Sequence, residues 1–135
     1  MAGEYFIALD TGGTKCDAVL FDGRGHILEH TRTTGGGPMD IGLKAAADNT
    51  VRVLKQLGEK IPDRKPAASI YCSIAGNDYY PGQLDACIRP QVEAGVLKVW
   101  DDGECIITAT LGRKDGGGMI AGTGASLFIR SGKVN

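Results

Sequence analysis

The feature that most constrains this chain is a glycine turn between two apolar runs near its start. Residues 6–22 read FIALDTGGTKCDAVLFD, so one apolar run ends in Asp10 and a second begins at Cys16. Short apolar runs bounded by glycine predict two strands joined by a tight turn. Clustered glycine marks either a sharp reversal of the chain or a close approach of its backbone to a ligand.

The elements that follow predict a mixed α/β fold. Three strands, at 5–9, 16–21 and 26–33, form an antiparallel meander, with the hairpin signal DGRG between the second and the third. Strands then alternate with helices, which predicts parallel strands joined by crossover helices and hence a mixed sheet. Asp40 is expected to cap the first long helix. The other elements are predicted as helices at 41–60, 83–93 and 104–111 and as strands at 68–74, 96–100, 119–121 and 126–130.

Composition narrows the class of protein. The 135 residues fit one domain, and a formal net charge of −1 without a Lys or Arg cluster argues against a nucleic-acid surface. No apolar run could span a bilayer and no signal peptide is recognisable, so we expect a cytoplasmic protein with no membrane partner. The four cysteines form no CxxC pair, so reduced, mostly buried thiols are favoured over a zinc or iron–sulfur site.

The first glycine turn has the chemistry of a phosphate site. Successive backbone N–H groups in a glycine turn form a concavity that binds anions, and hydroxyl and ammonium groups strengthen it. Asp10 would repel phosphate, but it makes sense if a hydrated Mg²⁺ lies between the two. A glycine hairpin that merely ends a strand remains the alternative. The residues that would contact phosphate are Thr11, Gly12, Gly13, Thr14 and Lys15.

Two further motifs fit the same chemistry. Gly122, Thr123 and Gly124 form a second glycine turn after a strand, and two such turns could hold one polyphosphate from both sides. Asp101 and Asp102 follow the strand at 96–100, at the end of the strand where α/β sheets bind ligands. A carboxylate there can accept a proton from an attacking hydroxyl. The alternatives are a simple hairpin and a helix cap, respectively.

The order of these motifs resembles the actin-like ATPase superfamily of sugar kinases, Hsp70 and actin. Within it the sequence is most similar to the BadF/BadG/BcrA/BcrD ATPase family, which includes the N-acetylglucosamine kinases. The resemblance rests on LDTGGTKCDAVLFDGRGHIL, SIAGND, DDGECIITATLG and GGGMIAGTGAS, which together span nearly the whole chain. It implies a ribonuclease H-like domain that uses ATP and Mg²⁺ to phosphorylate an amino sugar or a related sugar.

The resemblance also implies roles for individual residues. Asp10 would hold Mg²⁺ through water, while the two glycine turns would bind the phosphates of ATP. Asp102 is preferred as the catalytic base because of its spacing to the later LG and GTG segments. Asp101 stays open if a one-residue gap in the match to the family is placed differently. The residues near the acceptor sugar would be Gly36, Gly37, Asp40, Ala75, Gly76 and Asn77.

Two departures from the family pattern matter. Family kinases usually carry an Asn after the glycine-rich loop, whereas here the segment is GGGPMDIG, so Asp40 would replace it or the acceptor is not an N-acetyl sugar. The family also continues into a second domain that supplies the adenosine pocket. We therefore expect residues 1–135 to be the N-terminal domain, dependent on an absent C-terminal domain and nearly inactive alone. Family members are often dimers, so a homodimer stays open.

Two other functions are the alternatives. Some family members are ATPase activators of CoA-ester dehydratases or reductases and hold an iron–sulfur cluster between two subunits, but the cysteines here match no such pattern. Some relatives of sugar kinases are regulators with a helix-turn-helix ahead of the first strand, but that strand is predicted to begin by Tyr5, so we expect no such motif here. A non-catalytic fragment is the remaining alternative.

Overall fold

The structure, a computed structural model, describes residues 3–122 and 125–132. Its main body is a sheet of five strands: β1 (Tyr5–Thr11), β2 (Lys15–Asp22), β3 (Ile27–Thr34), β4 (Ala67–Ile74) and β5 (Ala94–Trp100). The order in the sheet is β3-β2-β1-β4-β5. Strands β1 to β3 are antiparallel, whereas β4 pairs in parallel with β1 and with β5, so the predicted mixed sheet with an antiparallel meander is confirmed.

The hydrophobic core lies on one face of this sheet. Alternate residues of β1 and β4, such as Ile7, Leu9 and Ile70, point to that face and are buried. They pack with Val53 and Leu54 of helix α2 (Leu43–Gly58) and with apolar residues of helix α3 (Gln83–Ile88). Alternation sends the residues between them to the second face, where Asp10 of β1 is exposed.

The predicted helix at 41–60 is wrong in its start and in its continuity. A short helix α1 (Pro38–Ile41) precedes α2, and Gly42 separates the two with a φ of 86°, a left-handed value that favours glycine. Pro38 starts α1 because proline suits the first turn of a helix. Asp40 consequently does not cap the long helix. It lies inside α1, and its Oδ2 accepts a hydrogen bond of 3.2 Å from the Gly37 N–H.

Other boundaries also shift. Helix α3 ends at Ile88 rather than near 93, because Pro90 lacks the N–H that would continue it, and a 3₁₀ turn covers Arg89–Gln91. Helix α4 (Asp102–Leu111) begins at Asp102, two residues before its predicted start. The expectation of mostly buried cysteines holds for two of the four: Cys16 and Cys72 are buried, whereas Cys105 is half-buried and Cys87 exposed.

The last two strands form a separate sheet. Strands β6 (Gly116–Ala121) and β7 (Ala125–Arg130) make an antiparallel hairpin that packs on α4 rather than joining the five-stranded sheet. The Phe128 ring lies against the Cα of Gly103, where any side chain would collide with it. Within the described residues, no helix is both long enough and apolar enough to cross a membrane.

Candidate active site

The hairpin between β1 and β2 is packed against the glycine loop that precedes α1. The Gly12 N–H donates to the Lys15 carbonyl (3.0 Å) and closes the turn, and the Gly12 carbonyl accepts from the Gly36 N–H (2.9 Å). Gly35 lies so close to the Gly12 carbonyl and the Lys15 amide that a Cβ there would collide with both. The glycines of this loop therefore serve close packing of one backbone on another.

The same loop contacts the turn that follows β4. A Cβ on Gly37 would collide with the Ala75 carbonyl, and the Ala75 N–H donates to the Thr11 carbonyl (2.9 Å). Gly76 has a left-handed φ of 81°, and a Cβ there would lie 2.8 Å from Met39 Cγ. Three loops that are distant in sequence thus meet at one end of the sheet.

Asp40 and Asn77, the predicted polar contacts to an acceptor, lie at this junction. A Cβ on Gly13 would be 3.3 Å from Asp40 Oδ2, so the carboxylate stands beside the hairpin. The Asn77 Nδ2 donates to the Val99 carbonyl (3.4 Å), which ties the turn to the end of β5. Its Oδ1 is buried and has no hydrogen-bond partner in the part of the chain that the structure describes.

A cleft of about 970 Å³ opens between the second face of the sheet and the α4–hairpin unit. Residues from both sides line it: the hairpin 10–15, Ala75, Asp102 and Gly122. The two predicted phosphate turns therefore face one cleft as far as they are described. Thr123 and Gly124, the rest of the second turn, lie outside the described residues.

Not every predicted phosphate contact in the first turn is equally available. The Gly12 N–H is used within the hairpin, whereas the N–H groups of the exposed Gly13 and Thr14 make no hydrogen bond within 3–122 and 125–132. Thr11 is only 5% exposed, so Thr14 offers the accessible hydroxyl. The free donors are thus concentrated at the tip of the turn.

Asp10 faces the cleft beside these donors, and its carboxylate has no hydrogen bond or ion pair to any residue that the structure describes. A free carboxylate next to a set of N–H donors suits Mg²⁺, which takes one or two carboxylates together with phosphate oxygens and water. Within the described residues, no three His, Cys, Asp or Glu side chains gather into a metal-binding group. Asp10 is the metal ligand that the sequence predicts, and its free carboxylate beside N–H donors fits that role.

Asp17 also belongs to this wall, although no motif in the sequence singles it out. It is the cross-strand partner of Asp10 and also lines the cleft. Arg32 donates to both of its oxygens, from Nε (2.7 Å) and from a terminal nitrogen (3.1 Å). His30 Nε2 (3.1 Å) and Lys15 Nζ (3.6 Å) lie beside it. The hydrogen bonds from Arg32, and next from His30, lower the pKa of Asp17 to about 2.

The register could have revealed Asp17. Its position is fixed once β1 and β2 are paired across the turn, because residues that sum to 27 then lie opposite each other. Alternation places both carboxylates on the same face of the sheet.

The start of α4 separates the two candidate bases. Asp101 is the N-cap, and its Oδ1 accepts from the Glu104 N–H (2.8 Å). Asp102 lines the cleft, and burial raises its pKa, with the nearby charges of Asp101 and Asp10 adding to the effect. Cys105 lies one turn further along the same wall, where burial raises the pKa of its thiol. A carboxylate that keeps its proton more readily than usual is suited to proton transfer.

Solved structures share this architecture. A candidate N-acetylglucosamine kinase from Chromobacterium violaceum superposes with a TM-score of 0.68 at 20% identity, over 94% of this chain and 45% of that one. A second, from Porphyromonas gingivalis, gives 0.66 at 24% identity, over 92% and 44%. The inorganic polyphosphate/ATP-glucomannokinase of Arthrobacter sp. strain KM gives 0.65 at 18% identity, over 93% and 58%.

These similarities establish the fold. Together with the strand order they show a mixed α/β domain with the fold of these kinases, consistent with the predicted ribonuclease H-like fold. The chain spans about half the length of these structures. No protein-family model matches the sequence, and no curated protein matches it. Membership of the BadF/BadG/BcrA/BcrD family therefore stays a prediction.

Proposed function

We propose that this domain takes part in ATP-dependent phosphoryl transfer to a sugar hydroxyl. The observation that carries the proposal is the shared cleft: the hairpin 10–15, Asp102 and Gly122 all line it, although they come from three separate parts of the chain. Phosphoryl transfer needs positioned phosphates, charge neutralisation and a proton acceptor, and these residues are of the types that supply each. The sugar kinases among the structures of the same fold support the same class of reaction.

The donor phosphates would be held at the tip of the first turn. The free N–H groups of Gly13 and Thr14, the Thr14 hydroxyl and the Lys15 ammonium would bind the β- and γ-phosphates. Gly122, with Thr123 and Gly124, would bind them from the opposite wall. Mg²⁺, held by Asp10 through water, would neutralise the charge that develops on the phosphate oxygens.

The proton acceptor would be Asp102. The acceptor hydroxyl would give its proton to this carboxylate while its oxygen bonds to the γ-phosphorus, and the bond to the bridging oxygen of ADP breaks. Asp102 lines the cleft, whereas Asp101 is engaged as the cap of α4, and this difference favours Asp102. Asp101 is the second candidate, since an N-cap carboxylate keeps a free oxygen.

The acceptor would bind near the junction of the three loops. Asp40, Gly36 and Gly37 lie on one side of it and Ala75, Gly76 and Asn77 on the other. Asp40 offers only acceptor atoms, which suits donors such as hydroxyl or ammonium groups. An amino sugar or a related hexose is the proposed substrate class.

We propose further that the chain is the N-terminal domain of a two-domain protein of the BadF/BadG/BcrA/BcrD type. The structures that share its fold are about twice as long as this chain, which covers 45% and 44% of two of them, and this supports the proposed domain organisation. The second domain would supply the adenosine pocket and close the cleft.

The test is a coupled assay for ADP release with ATP, Mg²⁺ and a panel of glucose, mannose, glucosamine, N-acetylglucosamine and N-acetylmannosamine. It is run on the 135-residue chain and on the product of its complete gene. We expect sugar-dependent ADP release from the complete product, loss of it in Asp102→Asn, and little turnover by the chain alone. Rapid sugar-dependent turnover by the chain alone would overturn the two-domain proposal. ATP hydrolysis that ignores every sugar would overturn the kinase proposal in favour of an ATPase activator.

A further inference from the structure

The pairing of Asp10 with Asp17 across β1 and β2 raises an electrostatic problem. Carboxylates directly opposite each other on one face of a sheet have Cβ atoms about 5 Å apart, and like charges there are unfavourable. The two carboxylates differ in the contacts that they make. Asp17 has contacts with Arg32, His30 and Lys15, whereas Asp10 has none to any described residue.

The Lys15 ammonium, which pairs with Asp17, is also within reach of Asp10. Lys15 lies diagonally across the strand pair from Asp10, and diagonal neighbours are about 7–8 Å apart, a separation that a lysine side chain can span. Its side chain is 58% exposed, and its one ion pair among residues 3–122 and 125–132 is the contact with Asp17. Arg32 lies one strand further away but is also long, and it is anchored on Asp17 by two hydrogen bonds.

We propose that Asp17 is a positioning residue that keeps Lys15, and secondarily Arg32, away from Asp10. This inference rests on the proposed function, in which Asp10 holds the metal ion. Asp17 forms ion pairs with Lys15 and Arg32, so that the Asp10 carboxylate at the phosphate turn stays free for a divalent cation. Without Asp17, the Lys15 ammonium pairs with Asp10 and competes with the metal.

The test is a double-mutant cycle on Mn²⁺ binding, followed by electron paramagnetic resonance in the absence of nucleotide and without any activity assay. The variants are Asp17→Asn, Lys15→Gln and the two combined, with Asp17→Ser as a second neutral variant should Asp17→Asn fail to fold. We expect Asp17→Asn to weaken Mn²⁺ binding about threefold to fivefold, the effect of one exposed ion pair. Lys15→Gln should change binding little when Asp17 is present and restore it when Asp17 is absent.

Additive charge effects give a different result. If Asp17 acted only through its own charge, Lys15→Gln would strengthen Mn²⁺ binding equally in both backgrounds, and that outcome overturns the inference, as does unchanged binding in Asp17→Asn. Asp22→Asn is the matched control, since Asp22 ends the same strand and binds His26 but is not in the cleft wall. Asp10→Asn should abolish binding. Unchanged Mn²⁺ binding in Asp10→Asn would overturn the metal site and this inference together. Loss of Mn²⁺ binding in Asp10→Asn, combined with additive effects of the Asp17 and Lys15 substitutions, would overturn only the role of Asp17.

Discussion

At the scale of single residues, the glycines of the three loops differ in what they do. Gly35 and Gly37 allow one backbone to press against another, so a Cβ at either has no space. Gly12 faces the cleft, and a Cβ there would meet nothing within 4 Å. One sequence pattern therefore contains glycines needed for packing and glycines whose space is left open.

This difference predicts opposite outcomes for two matched variants. Gly35→Ala should lower the free energy of unfolding by about 3 kcal/mol or prevent folding, because overpacking against rigid backbone is costly. Gly12→Ala should stay within about 0.5 kcal/mol of the parent, as expected of a substitution that meets no neighbour. Urea denaturation measures the first effect. Titration calorimetry with Mg²⁺ and inorganic tripolyphosphate should show that Gly12→Ala, though folded, binds more weakly. Equal stability of the two variants would contradict the packing of the three loops.

The ionised Asp102 carboxylate is expected to lower the stability of the fold although the proposed reaction needs it. Because burial raises its pKa, the ionised form costs folding free energy at every pH above the folded-state pKa, and acidification through that pKa removes the cost. Asp102→Asn should therefore raise the Tm at pH 7 while abolishing turnover by the complete protein. The gain in Tm should shrink as the pH falls and Asp102 becomes protonated.

Asp101→Asn is the control for this experiment. Asparagine still caps α4 through its side-chain oxygen, so stability should hardly change. Retained turnover in Asp101→Asn with loss in Asp102→Asn would identify Asp102 as the base. The reverse pattern would assign the role to Asp101.

At the scale of elements, Arg130 ties the β6–β7 hairpin to α4. Its guanidinium donates to the Gly112 carbonyl (2.6 Å), to Glu104 Oε1 (2.8 Å) and to Thr108 Oγ1 (2.8 Å), so it spans the helix from its first turn to its end. A lysine cannot reproduce this set, because its single ammonium lacks the planar fork of donors.

Arg130→Ala should lower the free energy of unfolding by about 2 kcal/mol, the scale of hydrogen bonds from a charged group. Arg130→Lys should give an intermediate loss. Arg52→Ala, which removes one exposed hydrogen bond to Asn49, should cost about 0.5 kcal/mol or less. Urea denaturation would compare the three, and an Arg130→Ala loss no larger than that of Arg52→Ala would show that the hairpin does not depend on this contact.

The elements were predictable where hydrophobic period and turn residues agree. The meander, the parallel strands β4 and β5 and the shared cleft follow from runs such as YFIAL and ASIYCSI and from the glycines between them. The predicted helix boundaries were wrong where a single residue overrides the helical repeat of apolar residues. Gly42 interrupts one such repeat, and Pro90 ends another. The pairing of Asp17 with Asp10 follows from the β1–β2 turn, but the ion cluster around Asp17 could not be predicted, because it also depends on β3, whose register against β2 shifts between Leu20 and Phe21.

At the scale of the whole molecule, the two faces of the sheet are unequal. Helices α2 and α3 cover the core face, whereas the second face carries Tyr71, which is 42% exposed and contacts Trp100 at 5.7 Å between ring centroids. Val96 on the same face is also 42% exposed. Parallel strands are usually covered on both faces, so the described part of the chain leaves apolar surface open.

We therefore expect the purified 135-residue chain to bind the dye 8-anilinonaphthalene-1-sulfonate and to self-associate as its concentration rises. Tyr71→Ser with Val96→Thr should reduce both effects without loss of fold, since neither side chain belongs to the buried core. Fluorescence titration and sedimentation velocity measure them. The exposed Ile41→Thr, outside this face, serves as the control, and an equal reduction there would show that the second face is not responsible.

The contact of Phe128 with Gly103, together with the hydrogen bonds of Arg130, fixes α4 and its hairpin to each other. Asp102 and Gly122 both line the cleft from this unit, which follows β5 directly in the chain. The spacing between the proposed proton acceptor and the second turn is therefore set inside one unit of the fold. A substitution that loosens α4 from its hairpin, such as Arg130→Ala, would then disturb the alignment of base and phosphate even though it touches neither.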